Sequence, residues 1–299
     1  MHVKQKLQSI LGDRYKENEA MSKHTSFRTG GIADIYLMPM SEQELISALE
    51  ALKESGTSFY VLGSCSNVII SDEGIKGAVV STLLLKGISR ISGQCISALA
   101  GTSLNSLSLY AKQHSLTGLE FAYGIPGSVG GAVVMNAGAY DGEMSFVVSS
   151  VRYLDAQLRP ALLEKESLGF GYRRSAFSNS DGIVLSASFE LATGEMGSIG
   201  EKMDSFSAQR RDKQPLSYPS AGSVFKRPEG YYAGALIEAA GLKGYSIGGA
   251  KVSEKHAGFI VNYSNASSKD ITDLIAHVQS VVHEKHGVWL ETEVRIIGS

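Results

Sequence analysis

The residues that could do chemistry fall in a few short stretches. Tyr218-Pro-Ser-Ala-Gly-Ser-Val-Phe-Lys-Arg-Pro228 sets Ser223 among small residues, between two prolines and beside two cations. A serine that follows a glycine could attack a carbonyl, as in a serine hydrolase. The nucleophile elbow Gly-x-Ser-x-Gly is absent, however: the local string is Ala221-Gly-Ser-Val-Phe225. In the terminal stretch Glu293-Val-Arg-Ile-Ile297, strand alternation sends Glu293, Arg295 and Ile297 to one face and Val294 and Ile296 to the other. A carboxylate and a guanidinium are then presented together. His283 and His286 lie three apart, which is not the i, i+4 frame of a two-histidine zinc motif, and Cys65 and Cys95 match no zinc spacing. No metal is expected.

Two loops could hold phosphate. Gly63-Ser-Cys-Ser-Asn67 combines small side chains, hydroxyls and an amide beside open backbone, the composition of a concave anion site and equally of an ordinary polar turn. Gly124-Ile-Pro-Gly-Ser-Val-Gly-Gly-Ala132 joins a proline turn to several glycines. It has neither the Gly-x-Gly-x-x-Gly spacing of the dinucleotide fold nor the Lys-Ser/Thr ending of a P-loop. A helix starting after its glycines would aim N-terminal donors at an anion. Two such loops point to a pyrophosphate, with ordinary turns as the competing reading.

These stretches need elements to place them. The 299 residues suffice for two or three modules, and 28 basic against 30 acidic residues argue against nucleic acid or an anionic membrane as partner. A small-molecule substrate is the better prior. Two cysteines make no disulfide framework, the N-terminal residues have no signal-peptide core, and no run of about 18 apolar residues occurs, so the expectation is a cytoplasmic protein without membrane insertion. Ser41-Glu-Gln-Glu44 reads as a capping box opening a helix that Gly56 stops. A second helix is predicted over Ser103 to His114, and a third from about Ser268 to His286 with Ile271, Leu274, Ile275, Val278, Val281 and Val282 as its apolar stripe. Short strands fill much of the rest. The charged, strand-poor segment from Gly194 to Lys213 places a module boundary near residue 200.

The chain resembles the MurB family of flavoenzymes, the UDP-N-acetylenolpyruvoylglucosamine reductases. The resemblance rests on ordered blocks along nearly its whole length: Thr25-Ser-Phe-Arg-Thr-Gly-Gly31, residues 63–67, Gly124 to Ala132 with Met135-Asn-Ala-Gly-Ala-Tyr140, Phe170-Gly-Tyr-Arg173, Gly222-Ser-Val-Phe-Lys226 and Glu293-Val-Arg-Ile-Ile-Gly298. The interval from Arg173 to Arg210 matches the shorter, type II branch. The fold this implies is α+β: an FAD-binding domain of the vanillyl-alcohol-oxidase (PCMH) type over 1–200, in two subdomains of about 1–84 and 85–200, and a C-terminal α+β substrate-binding domain over 201–299 whose last strand returns to the flavin site. The activity implied is NADPH-dependent reduction of the enolpyruvyl ether of a UDP-sugar in peptidoglycan precursor synthesis, by a monomer or weak oligomer. A non-catalytic flavin or nucleotide-binding module is the alternative, and a serine hydrolase using Ser223 a lesser one.

The resemblance also implies residue roles. Gly63, Ser64, Cys65, Ser66, Asn67, Ile125, Pro126, Gly127, Ser128, Gly130, Gly131, Ala132, Arg210 and Arg295 would hold FAD. Tyr172, Lys213, Arg227 and His256 would contact substrate, although the family often has amides at the last two positions. Arg173 would bind the substrate carboxylate, Ser223 would donate a proton, and Glu293 would stabilise the developing enol. A serine is a poor acid in water, so nearby cations, for which Lys213, Lys226 and Arg227 are the candidates, would have to make its alkoxide tolerable. Cys65 stands where relatives usually carry glycine, and would crowd the flavin phosphates if the backbone there needs positive φ. Asp141 likewise replaces a frequent glycine.

Overall fold

The computed structural model describes residues 3–298. Met1, His2 and Ser299 lie outside them, including the first two residues of the N-terminal stretch read as lacking a signal peptide. Eight α-helices occur among the described residues: α1 (Val3–Leu11), α2 (Glu42–Glu54), α3 (Leu104–Gln113), α4 (Val129–Met135), α5 (Met144–Val147), α6 (Met196–Lys213), α7 (Ala233–Ala239) and α8 (Ser268–His286). With the strands below they make an α+β chain. No helix among the described residues is long and apolar enough to cross a membrane.

The chain divides into two compact units. The first holds the residues up to Glu17, Ile35–Ser64 and Gly77–Gln209; the second holds Asn18–Asp34, Cys65–Lys76 and the residues from Arg210 onward. Residue 200 lies inside α6. That helix was legible only as a charged segment because its inward apolar residues, Ile199, Met203 and Phe206, are few and set among charged and small ones, and so narrow a stripe gives a weak period.

A four-stranded sheet takes the order Tyr15–Ala20, Ile32–Leu37, Ile75–Ser81, Phe59–Leu62. α2 starts where expected, with the Ser41 Oγ accepting the Glu44 N–H at 3.2 Å, and its buried Leu45, Leu49 and Leu52 join Leu7, Leu11 and Val80 in one core. The Glu44 carboxylate takes the Met40 N–H at 2.8 Å and the Arg14 guanidinium. A five-stranded antiparallel sheet follows, ordered Pro160–Glu164, Val148–Leu154, Ile183–Glu190, Cys95–Leu99, Ile88–Ser92. Leu104 and Leu107 of α3 and Val129 and Val133 of α4 lie in the core beneath it.

In the second unit, Ser246–Ile247, Ala250–Val252 and Ile260–Asn262 form a small antiparallel sheet. α8 begins at a full capping box, in which the Ser267 Oγ accepts the Asp270 N–H and the Asp270 carboxylate accepts the Ser267 N–H, both at 3.0 Å. Five of its six predicted stripe residues are buried, and Val281 packs partly buried against the same core. Burial at about 1.5–3 kcal/mol per large apolar side chain makes this face a main contributor to the unit. The last strand, Arg295–Ile297, pairs in parallel with Val68–Ile70, the strand that follows the first glycine loop.

Candidate active site

In the first unit, Leu62 ends a strand paired in parallel with Ile75–Ser81, and the chain then turns at Gly63. A Cβ at Gly63 would stand 2.3 Å from the Ser128 Oγ, so any larger residue would displace that hydroxyl. Ser128 stands at the N-cap position of α4, is 2 % exposed, and its hydroxyl finds no hydrogen-bond partner among the described residues. A buried hydroxyl without a partner costs about 1–3 kcal/mol, unless a bound group supplies the missing bond. A turn held open for backbone approach and facing an unsatisfied hydroxyl fits a bound phosphate.

The way α4 contributes differs from the expectation. The helix starts at Val129, before the last two glycines, and its first two amides are already used: Val129 N–H donates to Thr102 O at 2.9 Å and Gly130 N–H to Ala100 O at 2.8 Å. They fasten the loop to the preceding segment and are not aimed at an anion.

Tyr172 and Arg173 form the tip of a turn closed by two bonds, Gly171 N–H to Arg174 O at 3.0 Å and Arg174 N–H to Gly171 O at 3.1 Å. Arg173 has φ of 55°, an unusual conformation for a side chain of its size, and its Nη2 donates to Gly138 O at 3.1 Å. Its guanidinium carbon lies 5.2 Å from the centre of the half-exposed Tyr172 ring. Arg174 is exposed, and its side chain folds back over Gly171.

In the second unit, Val224 organises the neighbourhood of Ser223. Its N–H donates to Gly258 O at 2.9 Å and its carbonyl accepts the Glu293 N–H at 2.7 Å, while Ser223 bridges Phe259 and Phe225 bridges Thr292. Segment 223–226 is thus a short irregular strand between 258–259 and 291–293. It brings Ser223 and Glu293 to adjacent positions on neighbouring segments. Lys226 Nζ pairs with Glu291 at 3.1 Å and Arg227 lies 4.0 Å over the Tyr232 ring. Two of the three cations expected to support a Ser223 alkoxide are therefore engaged with other groups.

Asn67 clamps the terminal segment: its Nδ2 donates to Glu293 O at 3.1 Å and its carbonyl accepts the Arg295 N–H at 3.0 Å. The expected alternation fails here, because pairing with Val68–Ile70 begins only at Arg295. Val294 is buried in the core, whereas Ile296 is 56 % exposed. Glu293 therefore lies in a bridging stretch and not in a regular strand. Cys65 does adopt the left-handed conformation that glycine would take, with φ of 48°, and burial pushes its thiol up to about 12. The buried thiol is inert as a nucleophile. Asp141 also has positive φ, 60°, a conformation that glycine adopts freely. Arg210, in the last turn of α6, is buried, while Lys213 is exposed.

The His256 Nδ1 accepts the Gly258 N–H at 3.1 Å, which leaves a neutral ring with its proton on Nε2. A Cβ at Gly258 would lie 3.2 Å from that Nδ1 and 3.8 Å from the Ser223 Oγ, so His256 and Ser223 border the same glycine. Burial, joined by the Lys243 charge, lowers the His256 pKa below its ordinary value of 6.5, against the opposing pull of a backbone hydrogen bond and of Glu238. A neutral N–H donor is what an amide at this position would also offer. Because the unfolded chain binds the proton more readily, stability from neutral His256 is complete above pH 6.5 and is lost as pH falls through that value to the lower folded pKa. The His256→Gln variant should accordingly lose less thermal stability than the parent between pH 7 and pH 5, as read by melting temperature. Equal losses would show that His256 is not buried as a neutral ring.

The sequence reading assigned no role to Asn136, although Met135-Asn-Ala-Gly-Ala-Tyr140 was among its blocks. An asparagine before an Ala-Gly pair is a usable sign of a left-handed helix end, and Asn136 has φ of 43° at the end of α4.

Two family models match the chain: the C-terminal domain of UDP-N-acetylenolpyruvoylglucosamine reductase over residues 214–297, and an FAD binding domain over residues 33–157. A curated UDP-N-acetylenolpyruvoylglucosamine reductase of Clostridium perfringens strain SM101 is 48% identical over 294 residues, covering 97% of this chain and 96% of that one. The enzyme of the same description from Caldanaerobacter subterraneus subsp. tengcongensis is 48% identical over 298 residues, covering 97% and 98%. Among solved structures, the crystal structure of UDP-N-acetylenolpyruvylglucosamine reductase (MurB) from Thermus caldophilus superposes with a TM-score of 0.78 at 32% identity, covering 94% of this chain and 98% of that one. Physcomitrella patens BBE-like 1 gives a TM-score of 0.51 at 17% identity over 64% of this chain and 45% of that one, a likeness of fold alone.

Proposed function

The chain belongs to the UDP-N-acetylenolpyruvoylglucosamine reductase family, and from that premise we propose how its own residues carry out the reaction. It is an FAD-containing oxidoreductase that uses NADPH to reduce the enolpyruvyl ether of UDP-N-acetylglucosamine enolpyruvate to UDP-N-acetylmuramate in peptidoglycan precursor synthesis. Its FAD-binding part has the vanillyl-alcohol-oxidase type of fold. In this reading that part extends to about residue 200, the substrate-binding part follows, and the enzyme works in the cytoplasm as a monomer or weak oligomer. The two family-model matches, on either side of residue 200, support the division.

The observation that carries the residue roles is the pair of Val224 bonds that sets Ser223 beside Glu293. When bound, FAD would supply the hydride chemistry, with NADPH as the source and the β-carbon of the enolpyruvyl group as the acceptor. Arg173 offers its planar fork to the substrate carboxylate and stabilises charge moving onto it as the double bond is lost. Ser223 Oγ–H gives its proton to the α-carbon, and Glu293 stabilises the developing enol from the neighbouring segment. Tyr172, Lys213, Arg227 and the His256 Nε2–H bind and orient the nucleotide sugar. For FAD, Ser128 and the Gly63 turn offer the matched hydroxyl and open backbone, with Ser64, Cys65, Ser66, Asn67, Ile125, Pro126, Gly127, Gly130, Gly131, Ala132, Arg210 and Arg295 as the other holding residues.

NADPH and the enolpyruvyl substrate use the site in turn. Initial rates with both varied should give parallel lines in double-reciprocal plots, with each substrate inhibiting competitively against the other at high concentration. Lines that intersect would show both bound at once and overturn alternate use.

A further inference from the structure

Asn136 is fully buried, and both ends of its amide are used. Its Nδ2 donates to Gly171 O at 3.0 Å, and its Oδ1 accepts the Ser145 N–H at 2.9 Å. Gly171 opens the turn that carries Tyr172 and Arg173. On either side of Asn136 the same short segment holds that turn twice more. Val134 O accepts the hydroxyls of Ser175 and Ser178, each at 2.9 Å, and Gly138 O accepts the Arg173 Nη2 at 3.1 Å. Residues 134, 136 and 138 therefore grip the arginine turn before, at and after the end of α4. Of the three, only Asn136 does so with its own side chain; the bonds to Val134 O and Gly138 O come from side chains of residues 173, 175 and 178.

The geometry points to Asn136 as a positioning residue for the reductive reaction: by fixing the Gly171 carbonyl it sets the aim of Arg173 at the substrate carboxylate. This rests on the reading of Arg173 as the carboxylate-binding residue. An amide is the side chain that meets both demands, since the site asks for one donor and one acceptor in a buried place. Aspartate would set an oxygen against Gly171 O. Leucine would leave both backbone groups without partners. The left-handed conformation of Asn136 is one that glycine adopts freely, so Asn136→Gly removes the amide while keeping the helix end.

The test compares anaerobic half-reactions of flavin-loaded Asn136→Gly, Arg173→Ala and the double variant. Asn136→Gly should keep its flavin and its rate of reduction by NADPH, while reoxidation by the enolpyruvyl UDP-sugar slows by about 10- to 100-fold, the effect of a small misplacement of a catalytic group. The double variant should be no slower than Arg173→Ala alone, because Asn136 acts through Arg173. Equal slowing of both half-reactions, or an effect that multiplies onto that of Arg173→Ala, would overturn the proposal. Should Asn136→Gly fail to retain flavin, Asn136→Asp decides the point: a loss confined to reoxidation supports it, and normal reoxidation refutes it. Normal reoxidation by Arg173→Ala would remove the underlying reading and the proposal with it. Slow Arg173→Ala beside normal Asn136→Gly would sink the Asn136 proposal alone.

Discussion

Ser223→Ala is expected to leave flavin reduction by NADPH within about twofold of the parent and to slow reoxidation by the enolpyruvyl substrate about 10^4-fold, about 5 kcal/mol of barrier. The asymmetry follows from the chemistry. Hydride transfer from NADPH needs no proton from the protein, whereas the α-carbon of the enolpyruvyl group cannot be saturated without one. Ser223 stands one residue from the Val224 carbonyl that accepts the Glu293 N–H, so the proposed acid and the proposed enol-stabilising carboxyl come from adjoining segments. Removing only the hydroxyl keeps the backbone bridge to Phe259 and should barely change the melting temperature. Equal loss in both half-reactions would make Ser223 structural. Stoichiometric labelling of Ser223 by a serine-directed acylating probe would return the chain to the hydrolase reading.

Arg173→Ala should lower kcat/KM for the enolpyruvyl substrate about 10^3-fold, about 4 kcal/mol, by removing a charged donor that strengthens its hold as the transition state forms. Loss of the bond to Gly138 O should lower stability by about 1 kcal/mol. Alanine keeps the Cβ and therefore the left-handed strain, so no relief offsets that loss. Arg173→Lys should recover part of the binding and little of the rate, because an ammonium lacks the two-pronged planar fork. Steady-state kinetics on purified variants give the answer. A kcat/KM within tenfold of the parent would class Arg173 with its exposed neighbour Arg174 as a surface cation.

The parts of the molecule that were legible in the sequence share a local cause. α2, α3 and α8 carry a capping serine and an apolar period, and their ends fall within a residue or two of the reading. The two glycine loops stood out because close backbone approach demands a composition that can be read directly. α6 was missed because its stripe is only Ile199, Met203 and Phe206 in a charged helix, and α7 is only seven residues long. The non-local features had no local trace. Nothing near residue 295 announces a parallel partner at Val68, and nothing near Val129 tells that Thr102 and Ala100 consume the amides an anion would want. Asn136 is intermediate: its left-handed cap is suggested by the neighbouring residues, but its bond to Gly171, 35 positions away, is visible only in the fold.

The most direct measurement is anaerobic mixing of the purified flavin-loaded protein with one equivalent of NADPH, followed by the enolpyruvyl nucleotide sugar, with the flavin spectrum recorded throughout. The account predicts bleaching by NADPH and full return of the oxidised spectrum on adding the second substrate, with one reduced product formed per flavin. A protein that gains no flavin on reconstitution, or one whose reduced flavin is not reoxidised by the enolpyruvyl sugar, would contradict it.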